Sequence, residues 1–433
     1  MIDIDFLRKN PETVKIKSKQ KGFDVDVELI IDIDNQRKQL LNEIEAIRQK
    51  RNQLSEIGKK DSKSPDFIKQ AREIKQNLSA LEDDFNGLDL KLTAILREVP
   101  NMSLDDVPIG FSEAENIVSK QVGEIPQFTF KAKTHHELAE ELDLIDSIRA
   151  TKISGSRFAY IKNDLVKLQF AIINFVMETL TDELVIKRLI DENNLNLVPK
   201  PFTPVLPPAL IKTEPYIASS RLNAEEVTYK IEQDDLWLNA SAEHSLCTMY
   251  WNEILPEQVL PIRYIGYATS FRREAGTYGK DTEGIFRMHQ FDKLEMEVFS
   301  SAETGLDEHY LLIAVQEYLM QQLGLPYRVL QKCTADIGKP NARGIDVEVW
   351  LPGQNQYRET HTADYMTDYQ SRDLKIRSKK GNDETKLLHT NDATAFALGR
   401  IMIAIMENYQ TENGEITVPK VLVPYMMGKT ILK

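Results

Sequence analysis

The stretch Phe271–Glu295, FRREAGTYGKDTEGIFRMHQFDKLE, is the densest concentration of chemically capable side chains in the sequence. It combines Arg272, Arg273 and Arg287 with carboxylates, His289 and phenylalanines, while Gly276, Gly279 and Gly284 mark a loop between two strand-like runs. Arginines on both flanks of a loop suit a polyphosphate, because a guanidinium meets phosphate oxygens bidentately. Phe291, just past the loop, can stack on a base. By residue type alone, Arg272 equally suits a surface ion pair, and Phe291 a place in the core.

Other chemistries lack their residues. The sequence contains neither GxxxxGK[ST] nor GxGxxG, so no common phosphate-binding loop accounts for a nucleotide site. No Ser–His–Asp or Cys–His grouping appears, so a covalent enzyme intermediate is not expected, and His289 reads as structural. Two cysteines, Cys247 and Cys333, exclude a disulfide framework and a four-cysteine zinc site. A reducing cytoplasm is the expected compartment. The opening MIDIDFLRKNPETVK is mixed and charged, unlike a secretory signal. No apolar run approaches the roughly 20 residues needed to span a bilayer, so no membrane partner is expected.

The elements around this stretch divide in two. Ile30, Ile33, Arg37, Leu40, Ile44, Ile47, Arg51 and Leu54 follow a 3-4 spacing. Phe67, Ala71, Ile74, Leu78, Leu81, Phe85, Leu88, Leu92, Ile95 and Val99 repeat it. Each run is a heptad seam. The break GKKDSKSPD places a helix-stopping Gly58 before Pro65, which suits the start of the next helix. So short a connection favours an antiparallel hairpin, about 45 Å long if each helix has about 30 residues. Such hairpins commonly serve as spacers or dimerisation elements.

After Pro100 and the linker PNMSLDDVPIG the pattern changes. Helical stretches (Asn163–Asn193 and about Thr394–Tyr409) alternate irregularly with β-rich runs at Pro261–Phe271, Glu295–Phe299 and Val347–Leu351. This predicts an α+β fold, an antiparallel sheet flanked by helices, over residues 101–433, with the coiled-coil arm over 1–100.

The net charge of −13 argues against a nucleic-acid partner until its distribution is considered. Residues 1–100 are balanced, so the excess lies beyond them. Within 48–75, nine basic residues face four acidic ones, a local +5 around the hairpin tip. Such a zone suits RNA phosphates, and equally a solvated charged face.

FRREAG…FRMHQFDKLE resembles motif 2 of class II aminoacyl-tRNA synthetases, in the form the seryl family uses. The resemblance extends along most of the chain. MIDIDFLRKNPE and the hairpin resemble the family's tRNA-binding arm. KISGSRFAY (Lys152–Tyr160) and PFTPVLPPAL (Pro201–Leu210) resemble the entry and motif 1, the latter usually at a dimer interface. SAE (Ser241–Glu243) resembles the TAE loop. DVEVWLPGQNQYRETHT (Asp346–Thr362) and FALGRIMIAIMENYQ (Phe396–Gln410) resemble the approach to motif 3 and motif 3 itself.

What the resemblance implies is ATP-dependent activation of L-serine and its transfer to tRNA(Ser), by a class II catalytic domain acting as a homodimer. It leaves tRNA(Sec) open as a further acceptor. Arg272 and Glu274 would hold the α-phosphate and adenine side of ATP, with Arg273 and Met288 beside them. Arg287 would reach the γ-phosphate and Phe291 stack on adenine. Glu359 and Thr362 would bind Mg2+ and ATP, with Thr360 and His361 in the same run, and Arg400 would be the motif 3 arginine. Glu243 and Glu295 would face the serine ammonium, with Ser241, Ala242, Asp392 and Thr394 completing that subsite. Lys59, Lys60 and Lys63 would contact tRNA. Without the resemblance, Glu295 and Glu359 would read as strand-surface carboxylates.

Some positions depart from the family pattern. Ser241 stands where Thr is typical, keeping the hydroxyl. HTNDAT (His389–Thr394) replaces the usual HTLNG[ST], so Asp392 stands for Asn and Ala393 for Gly. Ala335 and Pro201 replace common glycines, and the chain between Thr179 and Pro201 is longer than the family norm. Asp392 adds negative charge two residues from the expected hydroxyl ligand. A synthetase-like binding protein without activity would lack the arginines and carboxylates present here, and a carrier-protein aminoacylating relative would lack the arm. A purely structural coiled-coil protein would leave the larger domain unexplained.

Overall fold

The computed structural model describes residues 1–61, 65–222, 228–274 and 284–433, and of residues 57–61 the backbone alone. Gly276 and Gly279 of the arginine-flanked loop, and Lys63, lie outside the described residues. The side chains of Lys59 and Lys60 do as well. The chain separates into two units, Met1–Met102 and Ser103–Lys433.

In the first unit the heptad seams become helices α1 (Val27–Asp61) and α2 (Pro65–Glu98). Pro65 opens α2 as expected. Gly58 does not stop α1, which runs on to Asp61. One glycine costs a helix only about 1 kcal/mol, which 35 residues packed along a seam absorb. At about 1.5 Å per residue α1 is therefore about 50 Å long. Ile30, Ile33, Ile44, Leu78 and Leu92 are buried along the seam. Arg37 is bound across it: Nε donates to Asp89 Oδ1 at 2.6 Å, and the guanidinium lies 5.3 Å from the Phe85 ring centre. Ile2, Leu7 and Val14 close the base of the hairpin against Ile30, Leu92 and Leu96.

The second unit is built on an eight-stranded sheet, counted among the described residues. In chain order its parts are β1 (Ile117–Val122), helix α3 (Asn163–Thr181), β2 (Thr203–Val205), helix α4 (Thr213–Ala218), β3 (Ile262–Phe271) and β4 (Gln290–Ser300). Then come helix α5 (Gly305–Leu323), β5 (Tyr327–Gln331), β6 (Arg343–Leu351), β7 (Gln356–Thr367), β8 (His389–Ala397) and helix α6 (Leu398–Asn408). The spatial order is β1-β5-β6-β7-β8-β4-β3-β2. Every pairing is antiparallel except β2 with β3.

Two expected helices are redrawn. Asn163–Asn193 breaks at Asp182, whose carboxylate caps the following helix, Glu183–Glu192, by accepting from Leu184 N at 2.8 Å. Thr394 belongs to β8, and the helix begins only at Leu398.

Alternation gives the sheet two faces. Met296 and Val298 of β4 and Val347 and Val349 of β6 meet Leu312, Val315 and Leu319 of α5 and Ile401, Met402 and Ile405 of α6 in the main core. Glu295 and Glu297, one residue out of step, face the other way.

Candidate active site

That second face carries the charged rows. Glu295 of β4 lies opposite Gly266 of β3 and Thr394 of β8, and Thr362 of β7 lies opposite Asp346 of β6. The register shifts where these residues must meet. Glu348 pairs with Glu359 and Val347 with His361, leaving Thr360 as the extra residue of a bulge. Residues three apart on a regular strand point to opposite faces. The bulge returns Glu359 and Thr362 to the same one. Where β7 and β8 meet, Gln316 of α5 bridges them, its Nε2 donating to Thr362 O and Thr394 O, each at 2.8 Å.

Glu295 is fully buried. Its Oε1 lies 2.9 Å from Ser241 Oγ and 3.3 Å from Thr394 Oγ1, and pairs with Lys293 Nζ. Its Oε2 is buried with no hydrogen-bond partner among the described residues. Burial pushes the carboxyl up to about 7 despite Lys293. Burial acts on Glu243 in the same sense, but there Lys293 and Arg221 together prevail and hold its carboxyl well below the usual range. Glu243 follows Ser241 at the start of a short helix, Ala242–Leu246. His244 lies beside it, Nε2 3.4 Å from Glu243 Oε1 and Nδ1 2.6 Å from the Tyr216 hydroxyl. Burial lowers the imidazole to about 4, so the neutral ring orients the carboxylate without charging it.

These groups adjoin a cavity of about 440 Å³. Arg272, Glu274, Arg287, Met288 and Phe291 from the β3–β4 region line it together with Glu359, Thr360 and Thr362 of β7 and Arg400 of α6. Glu243, Lys293 and Thr394 also reach it. Arg272 Nε donates to Ala240 O at 3.1 Å, and the guanidinium stands 5.3 Å from the Phe291 ring centre. Glu274, at φ +50°, accepts from Arg287 Nη1 at 2.9 Å. Arg400 Nη1 lies 3.1 Å from Glu359 Oε1. The Phe286 ring has Arg358 at 3.9 Å and Arg400 at 4.9 Å from its centre. His289 serves the backbone: its Nδ1 is 2.9 Å from Arg272 O, and its N donates to Arg157 O.

Several expected site residues stand apart from the cavity wall. Arg273 turns outward, 5.9 Å from the Tyr229 ring centre. His361 points to the core against Phe396, 5.2 Å between ring centres, because the bulge that brings Glu359 and Thr362 together excludes it. Ala242 is fully buried, and Asp392 lies one row behind Glu295, opposite Glu297. Residue types alone had not singled out Lys293, Arg221, Gln316 or Lys332. Lys332 is buried with Nζ 2.9 Å from Thr362 Oγ1 and 3.2 Å from Asp364 Oδ1. Lys293 had a signal, since Phe291, Lys293 and Glu295 alternate on one strand face. The others come from distant elements and had none.

With this geometry, comparison with known proteins is decisive. Residues 1–103 match the model of the seryl-tRNA synthetase N-terminal domain, and residues 228–409 that of the class II tRNA synthetase core domain (G, H, P, S and T). The serine–tRNA ligase of Nitrosopumilus maritimus is 36% identical over 432 residues, covering 98% of this chain and 99% of its own. The chain belongs to the seryl-tRNA synthetases. The corresponding ligase of Dictyoglomus turgidum is also 36% identical, over 98% of both chains. The crystal structure of the Pyrococcus horikoshii seryl-tRNA synthetase complexed with ATP superposes with a TM-score of 0.86 at 36% identity, covering 100% of this chain and 99% of that one. This synthetase is thus an ATP-dependent serine–tRNA ligase with ATP, serine and tRNA as substrates. No helix among its described residues is long and apolar enough to cross a membrane.

Proposed function

We propose that the cavity activates serine in its lower part and holds ATP in its upper part. The observation that carries this is Glu295, whose Oε1 is held by Ser241, Thr394 and Lys293 while its buried Oε2 has no hydrogen-bond partner among the described residues, directly behind the Lys293 and Thr394 that line the arginine-rich cavity. Leaving such an oxygen unpaired costs about 1–3 kcal/mol, more if charged, and a substrate ammonium or hydroxyl removes that cost. Glu243 and Glu295 accept from the ammonium, and Thr394 and Ser241 orient the hydroxyl.

The serine carboxylate attacks the α-phosphorus in line, and pyrophosphate leaves. The terminal ribose hydroxyl of tRNA then attacks the seryl carbonyl, and AMP leaves. Negative charge grows on phosphate oxygens in the first step. Arg272 meets it at the α-phosphate and Arg287 at the γ-phosphate, both positioned before reaction. Phe291 and Arg400 hold adenine between an aromatic face and a guanidinium. Glu274 fixes Arg287.

Glu359 and Thr362 are oxygen ligands on one face, with Asp346 opposite Thr362 and its Oδ1 3.4 Å from Lys332 Nζ. Such a pair of protein oxygens suits Mg2+, which takes one or two of them together with substrate phosphates and water. Bound there, Mg2+ would supply electrostatic stabilisation of the phosphates.

The arm reads tRNA shape through its basic tip, around Lys59, Lys60 and Lys63, and the synthetase works as a cytoplasmic homodimer. Leu206 of the motif 1 segment, highly exposed beside β2, supports that second surface. Serine-dependent pyrophosphate–ATP exchange, followed by charging of total tRNA, tests the reading. Absence of exchange with serine, or equal exchange with other amino acids, would overturn it.

A further inference from the structure

Asp392 stands where the family usually carries Asn, adding a carboxylate to a pocket that already holds Glu243, Glu295 and Glu297. The structure supplies its counter-charge from 171 residues away. Arg221 Nη2 donates to Asp392 Oδ2, and Arg221 Nη1 lies 3.9 Å from Glu243 Oε1. The Arg221 side chain is 12% exposed and that of Asp392 2%.

The turn that delivers Arg221 is tied to the strand it serves. Ser220 takes a left-handed φ of +58° just after α4. Ser219 Oγ donates to Tyr216 O at 2.6 Å and accepts from Arg221 N at 3.2 Å. Ser219 O accepts from Gln370 Nε2 at 3.0 Å, and Gln370 Oε1 accepts from Thr390 Oγ1 at 2.8 Å. Thr390 is two residues before Asp392 on β8. The Arg221 turn is thus linked twice to the same strand, once through Gln370 and once through the ion pair.

We propose that Arg221 is a positioning residue of the serine subsite, neutralising Asp392 so that Glu243 and Glu295 remain the carboxylates that meet the substrate ammonium. The inference rests on the functional reading above. Burial disfavours the charged form of Glu297, which lies opposite Asp392, and holds its carboxyl well above its usual range. Asp364, opposite Asp392 on β7, is paired with Lys332, so Asp392, Glu243 and Glu295 face the two cations Arg221 and Lys293, and the ammonium completes the balance. Removing Asp392 alone leaves a buried guanidinium that repels the ammonium. Removing Arg221 alone leaves a second acceptor competing for it. Removing both restores the balance.

The test is a double-mutant cycle in the full chain, Arg221→Met, Asp392→Asn and the pair, read by pyrophosphate exchange with serine and ATP varied separately. Wild-type exchange with serine bears on the functional reading, while the cycle bears on the pairing. Each single variant should raise the serine KM about tenfold or more and leave the ATP KM within about twofold. The double variant should return to within about threefold of wild type, where independent losses would multiply to about a hundredfold. Multiplying losses, or an ATP KM that moves as far as the serine KM, would overturn the proposal. Should Arg221→Met fail to fold, Asp392→Asn and the double variant still decide: a double no better than Asp392→Asn sinks it.

Discussion

Thr394 lies directly across the β4–β8 ladder from Glu295, its hydroxyl 3.3 Å from Oε1 and its carbonyl held by Gln316. That relationship sets the first prediction. Thr394→Val keeps the shape and removes the hydroxyl. Serine activation should fall and the preference for serine over alanine, roughly 10⁴-fold in a site built around a hydroxyl, should narrow. Exchange rates with serine, alanine and threonine measure it. Threonine, refused only by the space for one methyl, should remain the stronger competitor, at about 10–200-fold discrimination. Undiminished separation of serine from alanine would move the role to Ser241.

Arg272, held by Ala240 O and facing Phe291, should matter most at the α-phosphate. Arg272→Ala should lower pyrophosphate exchange about 10²-fold or more, comparable to removing one preorganised transition-state donor. Arg272→Lys should recover little, since a point charge cannot replace the planar fork. Near-normal exchange in either variant would take Arg272 out of the site.

Glu295 sets a pH dependence. Its carboxyl, raised by burial to about 7, must be ionised to accept an ammonium. The serine KM should therefore rise as pH falls through 7, approaching about tenfold per unit below it. Stability runs the other way in the ligand-free enzyme. The folded carboxyl holds its proton above its ordinary value of 4.5, so stability from this group is full below that value and is lost as pH rises towards about 7. Thermal unfolding of wild type and Glu295→Gln across this window checks the sign, the variant showing the flatter profile.

Shortening the arm should separate the two half-reactions. Removing residues 45–81 and closing the hairpin with a short glycine turn leaves the basal cluster of Ile2, Leu7, Val14, Ile30 and Leu92 in place. Serine-dependent exchange should stay within about twofold while tRNA charging is lost. In the wild type, charging should weaken steeply with added salt, as phosphate contacts release counterions. Charging that survives the deletion would make the arm a spacer.

The arm and the motif 2 residues were legible in the sequence because their information is local. A heptad seam repeats within one helix, and Arg272, Arg287 and Phe291 fall in a single run whose residue types already suit a polyphosphate, while the role of Glu295 toward an ammonium came only with the family resemblance. Helix ends were less legible: Gly58 did not stop α1, and Thr394 proved to be on a strand, because packing outweighs weak local preferences. The face each side chain occupies was decided by the tertiary structure. Glu359 and Thr362 share a face only through a bulge at Thr360, set by pairing with β6, and the same bulge turns His361 into the core. Asp392 as a sequence feature was an unexplained extra charge. Its partner, Arg221, comes from a turn fixed by Ser219 and Gln370, because buried charges must be matched in space, where distance along the chain carries no weight.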